Sequence, residues 1–179
     1  MHRTWSASRV IPLPLQLATR CSPHGKKQRG ALLLKINLKE SKTMTEAVQI
    51  TKTLVDENKR LDFLPKYCGK HFMHYETAVY SLMDRASADY SGGLWQFYTL
   101  SNGGFFMALD QEGSLKMAWA DNYYQGTMSA EAASIAVNLM ALSHLSCQLP
   151  SEKLGEHFHQ LREFALDHAE AGQIFAFID

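Results

Sequence analysis

At 179 residues the chain is long enough to bury one hydrophobic core without disulfides or metals, and its 46% hydrophobic and 20% charged residues exclude a wholly disordered or fibrous protein. The formal net charge of zero averages two unlike segments: residues 1–43 carry nine Lys or Arg against the single acid Glu40 (+8), whereas residues 44–179 carry nine against seventeen Asp or Glu (−8). Three cysteines, Cys21, Cys68 and Cys147, at wide spacing argue against a secreted disulfide framework and for a reducing cytoplasm.

Residues 1–43 are rich in Ser, Pro, Gly and Arg, with one brief apolar patch at Ala31 to Leu34 and no sustained period, so they are expected to stay unpacked. Such a segment suits a targeting leader or a basic nucleic-acid arm. Met44-Thr45-Glu46 also reads as a natural start to an acidic domain, which would make residues 1–43 a leader from an early start and 44–179 the working domain. Val10 to Ala18, broken by Pro12 and Pro14, is too short to span a bilayer.

From Met44 onward the elements follow in order. Glu46 to Arg60 reads as a weak helix or an extended arm, and Leu61 to Pro65 as apolar anchors ending in a proline that limits helix continuation, with a bend near Pro65 and Gly69. Phe72, Tyr75, Val79, Leu82 and Ala86 recur at steps of three and four and predict an amphipathic helix over His71 to Ala86. Leu94 to Leu100 predicts a strand, Asn102-Gly103-Gly104 a tight turn, and Phe105 to Leu109 a second strand with Phe105, Met107 and Leu109 on one face. After the turn Gln111-Glu112-Gly113, the alternation of Leu115, Met117 and Trp119 predicts a third strand, and Tyr123 to Gly126 a short fourth. Ser129 is placed to cap a very apolar helix that ends at Leu149-Pro150, and Ser151 to cap a last helix with Leu154, Phe158, Leu161 and Ala165 buried, followed by an apolar tail, Ile174 to Ile178. One consecutive block of strands flanked by helices indicates an α+β domain: an antiparallel β-meander of three to four strands packed against three or more helices.

Chemistry is thinly signalled. Cys68, His71 and His74 form Cys-x2-His-x2-His, but no second ligand pair stands at zinc spacing, so these read as ordinary side chains rather than a metal site. His157, His159 and His168 lie with Glu163 and Asp167 on one solvent-patterned segment instead of converging from several elements, which argues against an acid–base catalyst. Phosphate loops, nucleophile elbows and dinucleotide fingerprints are absent, so neither a cofactor nor a catalytic residue is expected. Trp95, Phe97, Tyr98, Phe105 and Phe106 resemble a base-stacking platform, yet Lys116 is the one cation between Tyr90 and Asp121, so core packing is the better use of those rings and 44–179 is not expected to hold nucleic acid stably. On the last helix Glu152, Glu156, Glu163, Asp167 and Glu170 are expected to fall within an arc of about 60°, an acidic ridge about 27 Å long. That ridge is either a solvated face or a partner surface.

Leu61-Asp62-Phe63-Leu64-Pro65-Lys66-Tyr67, Asp89-Tyr90-Ser91-Gly92-Gly93-Leu94-Trp95 and Phe97-Tyr98-Thr99-Leu100-Ser101-Asn102-Gly103-Gly104-Phe105-Phe106-Met107 resemble the ArdB/KlcA antirestriction proteins of plasmids and other mobile elements. The resemblance continues through Ser129-Ala130-Glu131-Ala132-Ala133 and Glu163 to Glu170, and covers Asn58 to Asp179. Phe106, Leu109 and Cys68 depart from it, standing where Tyr, Pro and an aromatic are more usual. The resemblance implies a compact, non-enzymatic α+β domain in the bacterial cytoplasm that relieves type I restriction of incoming DNA, its partner the type I restriction complex or a host factor acting on it. It carries over no catalytic, cofactor or metal residue and says nothing of residues 1–43. The acidic residues named above, with Asp89 and Tyr90 of the loop before the first predicted strand, are the expected partner surface. The competing reading is a DNA-binding regulator using the basic segment before Met44.

Overall fold

The computed structural model describes residues 49–179. The basic segment 1–43, the apolar patch Ala31 to Leu34, Cys21 and the proposed start at Met44 lie outside the described residues. Among the described residues no helix is long and apolar enough to cross a membrane.

The order is β1 (Lys52–Leu54), a 3-10 turn (Glu57–Lys59), α1 (Arg60–Cys68), a second 3-10 turn (Gly69–His71), α2 (Phe72–Ala86), β2 (Trp95–Leu100), β3 (Phe105–Leu109), β4 (Ser114–Trp119), β5 (Tyr124–Ser129), α3 (Ala130–Gln148), α4 (Glu152–Leu166) and α5 (Ala171–Ile178). This is the expected α+β class, but the strands do not form one meander. They form two antiparallel sheets, one in the order β1-β2-β3 and one of β4-β5.

The reason lies at the outer edge of β3. Strand β2 pairs with β3 with Phe97 opposite Met107 and Thr99 opposite Phe105, and the edge that β4 would have to join is already taken by α3. Asn138 donates to Met107 O at 2.8 Å and accepts from Met107 N at 3.0 Å, and Ser134 Oγ accepts from Leu109 N at 3.0 Å. A helix that satisfies a strand's backbone groups leaves nothing for a further strand. All five residues of β3 are buried as a result.

Three local departures have physical causes. The stretch Glu46 to Arg60, read as a weak helix or an extended arm, is extended where Lys52, Thr53 and Leu54 pair with Leu100, Thr99 and Tyr98 as an edge strand, and turns helical only at Glu57–Lys59 and Arg60. Helix α1 runs through Pro65. The hydrogen bond that Pro65 cannot make would have gone to the carbonyl of Leu61, in the helix's first turn and 91% exposed, where water can replace it. Ser151 makes no side-chain cap to α4, whereas Ser129 caps α3 as expected by accepting from Ala132 N at 3.2 Å.

Helix α3 is the centre of the domain. From Ala130 to Leu142 every residue but Glu131 is buried, so it is apolar on all faces and packs against α2, α4, α5 and β3 at once. Phe105 gathers Phe63, Tyr67, Tyr75 and His157 around it at centroid distances of 4.6–5.8 Å. On the opposite face of the sheet Phe106 stacks on Tyr98 at 5.1 Å and on Phe164 at 5.7 Å. Trp95, Phe97, Phe105 and Phe106 are therefore core rings, as the scarcity of nearby cations indicated. In the second sheet Leu115, Met117 and Trp119 are buried in strict alternation, and Phe177 of α5 closes over Trp119 and Tyr124 at 5.8 and 5.5 Å.

Candidate functional site

The five acids expected on one continuous ridge do not lie on one helix. Helix α4 stops at Leu166, so Glu152, Glu156 and Glu163 keep to one exposed face while Asp167 stands at its C-terminus and Glu170 at the start of α5. The break follows from a tertiary bond that helical spacing does not reveal. Glu170 is half-buried and accepts from Ser129 N at 3.0 Å and from Ser129 Oγ, which ties α5 to the junction of β5 and α3. Glu163 is held from the hairpin side, accepting from Asn102 Nδ2 at 3.0 Å. The same turn is pressed onto α4: a Cβ at Gly104 would stand 2.8 Å from Gln160 Cβ, and Gly103 has φ +90°, so both glycines are required there.

Asp89 and Tyr90 also have structural partners. Asp89 accepts from Lys116 N at 3.0 Å, fastening the loop after α2 to β4. Tyr90 accepts from the Trp95 indole N–H at 3.1 Å and stands edge-on to that ring at 6.1 Å. The loop Asp89 to Gly93 continues through Gly92 and Gly93, at φ +93° and +156°.

This loop forms one wall of a groove of about 530 Å³, with α1 and α2 as the other walls. Two of the sequence segments that carry the family resemblance, Leu61 to Tyr67 and Asp89 to Trp95, thus meet in one concave surface. Four of its residues, Arg60, Phe72, Glu76 and Tyr80, were not singled out as functional in the sequence. The i to i+4 pair Glu76 and Tyr80 on α2 was its one local signal: Tyr80 Oη donates to Glu76 at 3.1 Å. Burial and the neighbouring Glu76 carboxylate push the Tyr80 hydroxyl well above its ordinary pKa, so it stays a donor. Arg60 donates to Trp95 O at 2.6 Å and to Gln96 Oε1 at 2.8 Å, and lies 4.9 Å over the Phe97 ring.

Among the described residues, the other titratable side chains singled out in the sequence have local or core partners. Cys68 is buried in the core, where desolvation pushes its thiol up to about 12. His71 and His74 stand 6.1 Å apart, ring to ring. His157 Nδ1 pairs with Gln160, and His168 Nδ1 accepts from Glu170 N. Among the described residues no three His, Cys, Asp or Glu side chains gather as a metal would require.

The family model for antirestriction proteins matches residues 88–179. The antirestriction protein KlcA of Escherichia coli is 42% identical over 137 residues, 73% of this chain and 94% of its own length. The Escherichia coli K12 protein YafX is 41% identical over 135 residues, 73% of this chain and 89% of its own. A solved structure from work on KlcA and ArdB, which show a novel fold and antirestriction activity against type I DNA restriction systems in vivo but not in vitro, is 41% identical. It superposes with a TM-score of 0.68 over 73% of this chain and 95% of that one. With a matching family model and relatives covered almost end to end, the chain belongs to the antirestriction protein family.

Proposed function

We propose that this protein relieves type I restriction of incoming DNA in the bacterial cytoplasm by binding a protein, without catalysing a reaction. The observation that carries this reading is the likeness in sequence and fold to proteins with antirestriction activity against type I systems. Their activity in vivo but not in vitro is the pattern expected of a protein whose target includes a cell component beyond the purified restriction enzyme, which favours a host factor acting on the type I complex as the partner. The candidate histidines support a non-enzymatic role, since each described contact of His157 and His168 is to a neighbour on its own segment or to the core. Electrostatics supports a protein partner: a domain of net charge −8 from Met44 onward repels phosphate backbones. The contact surfaces we assign are the face of α4 bearing Glu152, Glu156 and Glu163, and the Asp89 to Gly93 loop.

The test is the plating of unmodified phage on cells with an active type I restriction system, with and without expression of the full chain, beside a cleavage-deficient strain. Raised plating confined to the restricting strain is expected. Unchanged plating with soluble, folded protein in the cells overturns the reading for that system.

A further inference from the structure

We propose that the groove between α1, α2 and the Asp89 to Gly93 loop receives an arginine side chain of a protein partner. This rests on the reading that the domain acts by contact with another protein, and it adds the chemistry that the contact recognises.

The argument begins with an unanswered charge. Glu76 is half-buried in the groove, and its one hydrogen-bond partner among the described residues is the neutral Tyr80 hydroxyl at 3.1 Å. Among the described residues the ion pairs are Lys52–Glu131 and Lys59–Asp56, so no Lys or Arg forms an ion pair with Glu76, although the Arg60 charge reaches the Tyr80 hydroxyl beside it. Arg60 lines the same groove but is tied to β2 by its bonds to Trp95 O and Gln96 Oε1 and covers Phe97 instead. A partly desolvated carboxylate in a cleft is stabilised most by a cation that brings several N–H donors.

The walls beside Glu76 suit a planar cation. The half-buried rings of Tyr80 and Tyr90 line the groove and pack on the buried Trp95 at centroid distances of 5.4 and 6.1 Å, so the ring surface left to a ligand is that of the two tyrosines. Ring faces attract a guanidinium through their quadrupole, and its flat, weakly hydrated shape stacks where an ammonium does not. The Trp95 N–H and Tyr80 O–H are already engaged within the groove, and the remaining lone pairs of Glu76 are the charged acceptor it offers, beside the Tyr90 hydroxyl proton and the N–H groups that Arg60 does not spend on β2. A volume of about 530 Å³ lies within the span of a small-molecule site and exceeds what one side chain fills, leaving room for the flanking backbone of the partner. The overall negative charge of the domain draws a basic segment toward it.

Trp95 supplies the reporter. In the full-length protein with nitrogen-15-labelled tryptophan, the indole cross-peaks of Trp5, Trp95 and Trp119 are few enough to resolve, and the Trp95→Phe variant identifies the one that matters. The probe is a capped glycine-arginine-glycine tripeptide, compared with the same peptide carrying citrulline, which keeps the shape and loses the charge, lysine, or glutamate. A saturable shift of the Trp95 peak by the arginine peptide is expected, weaker with lysine and absent with citrulline. Glu76→Gln is expected to weaken binding by about fivefold or more. Tyr90→Ala, outside helix α2, gives a second variant; because Tyr90 bonds the Trp95 indole N–H, it is compared by the affinity from the titration and not by the peak position, and that affinity is expected to fall. The proposal is overturned if the arginine peptide gives no saturable shift, if citrulline matches it, if Glu76→Gln leaves the affinity unchanged, or if only the glutamate peptide binds, which would make the groove an anion site on Arg60. Loss of the shift with phage plating still raised removes the groove assignment alone; a normal shift with unchanged plating removes the antirestriction reading alone.

Discussion

Asn138, in the middle of the most buried helix, closes both backbone hydrogen bonds of Met107: its amide donates to the carbonyl at 2.8 Å and its oxygen accepts from the N–H at 3.0 Å. That oxygen also accepts from the Tyr75 hydroxyl, and the amide donates a second time to Ser134 O at 2.7 Å. One side chain thus replaces a missing neighbour strand and joins α2, α3 and β3. Replacing it with Ala strands the Met107 N–H and C=O and the Tyr75 hydroxyl in a dry core. At about 1–3 kcal/mol for each unsatisfied group, tempered by relaxation, a loss of about 3 kcal/mol is expected in urea unfolding. Ser134→Ala, which strands only Leu109 N, is expected to cost about 1–2 kcal/mol. A loss for Asn138→Ala no larger than that for Ser134→Ala contradicts the bridging role.

This clamp marks the limit of what the sequence reveals. Apolar periodicity locates α2 and β4 because each buries one face whose spacing is written locally, as in the alternation of Leu115, Met117 and Trp119, whereas β2, β3 and α3 show as runs rich in aromatic or apolar residues. Asn138 and Ser134 look like ordinary interruptions of an apolar helix, yet they decide that β3 ends its sheet and that β4 and β5 form another. Likewise β1 is invisible beforehand: Lys52, Thr53 and Leu54 are all exposed, and only their pairing with β2 makes them a strand. In the candidate site, Tyr90 and the Asp89 to Gly93 loop were legible as a motif, but Arg60 and Glu76 become neighbours of that loop only through the packing of α1 and α2 on the sheet.

Tyr123 is the one described non-glycine residue with positive φ, at 59°, and its side chain is 90% exposed. The turn it occupies is pinned by Asn122, which donates to Ala176 O and Phe177 O at 3.2 and 3.0 Å. An L-residue with a bulky side chain is strained in this conformation, whereas Asn tolerates it. Tyr123→Asn is therefore expected to raise stability by about 0.5–1 kcal/mol, measured as an upward shift in thermal midpoint. A midpoint that falls would show that the exposed ring makes a stabilising contact outweighing the strain.

Cys68 and Cys147 are expected to differ sharply in reactivity. Cys147 is exposed, while Cys68 is 5% exposed with its thiol pushed up to about 12 by desolvation. At pH 8 a maleimide should modify Cys147 and spare Cys68, as peptide mapping would read directly. The same shift makes stability pH-dependent. The folded thiol holds its proton above its ordinary value of 9.0, so this contribution is complete below about pH 9 and is lost as pH rises from there toward 12. The raised Tyr75 and Tyr80 hydroxyls add to the same decline from about pH 10 upward. Cys68→Val should make unfolding free energy flatter between pH 9 and 10; an unchanged slope would assign the decline to other groups.

The bond between Ser129 and Glu170 separates structural from contact roles among the acidic residues. Ser129 Oγ accepts from Ala132 N to cap α3 while it donates to Glu170, and the Ser129 N–H donates to the same carboxylate at 3.0 Å. Glu170→Ala removes a charged acceptor of two bonds at the start of α5, which carries the buried Ile174 and Phe177. A loss of about 1.5–3 kcal/mol is expected, with faster amide exchange through Ala171–Ile178. Glu170→Gln retains an acceptor and should lose less than half as much. Substituting Lys for Glu152 and Glu156, which are exposed on α4, should leave the thermal midpoint within about 2 °C because no described partner is lost. If phage plating then falls for the Glu152 and Glu156 variants at unchanged stability, the α4 face contacts a partner. If plating falls only with Glu170→Ala, in step with its stability, that residue acts by holding α5 in place and the face of α4 is a solvated surface.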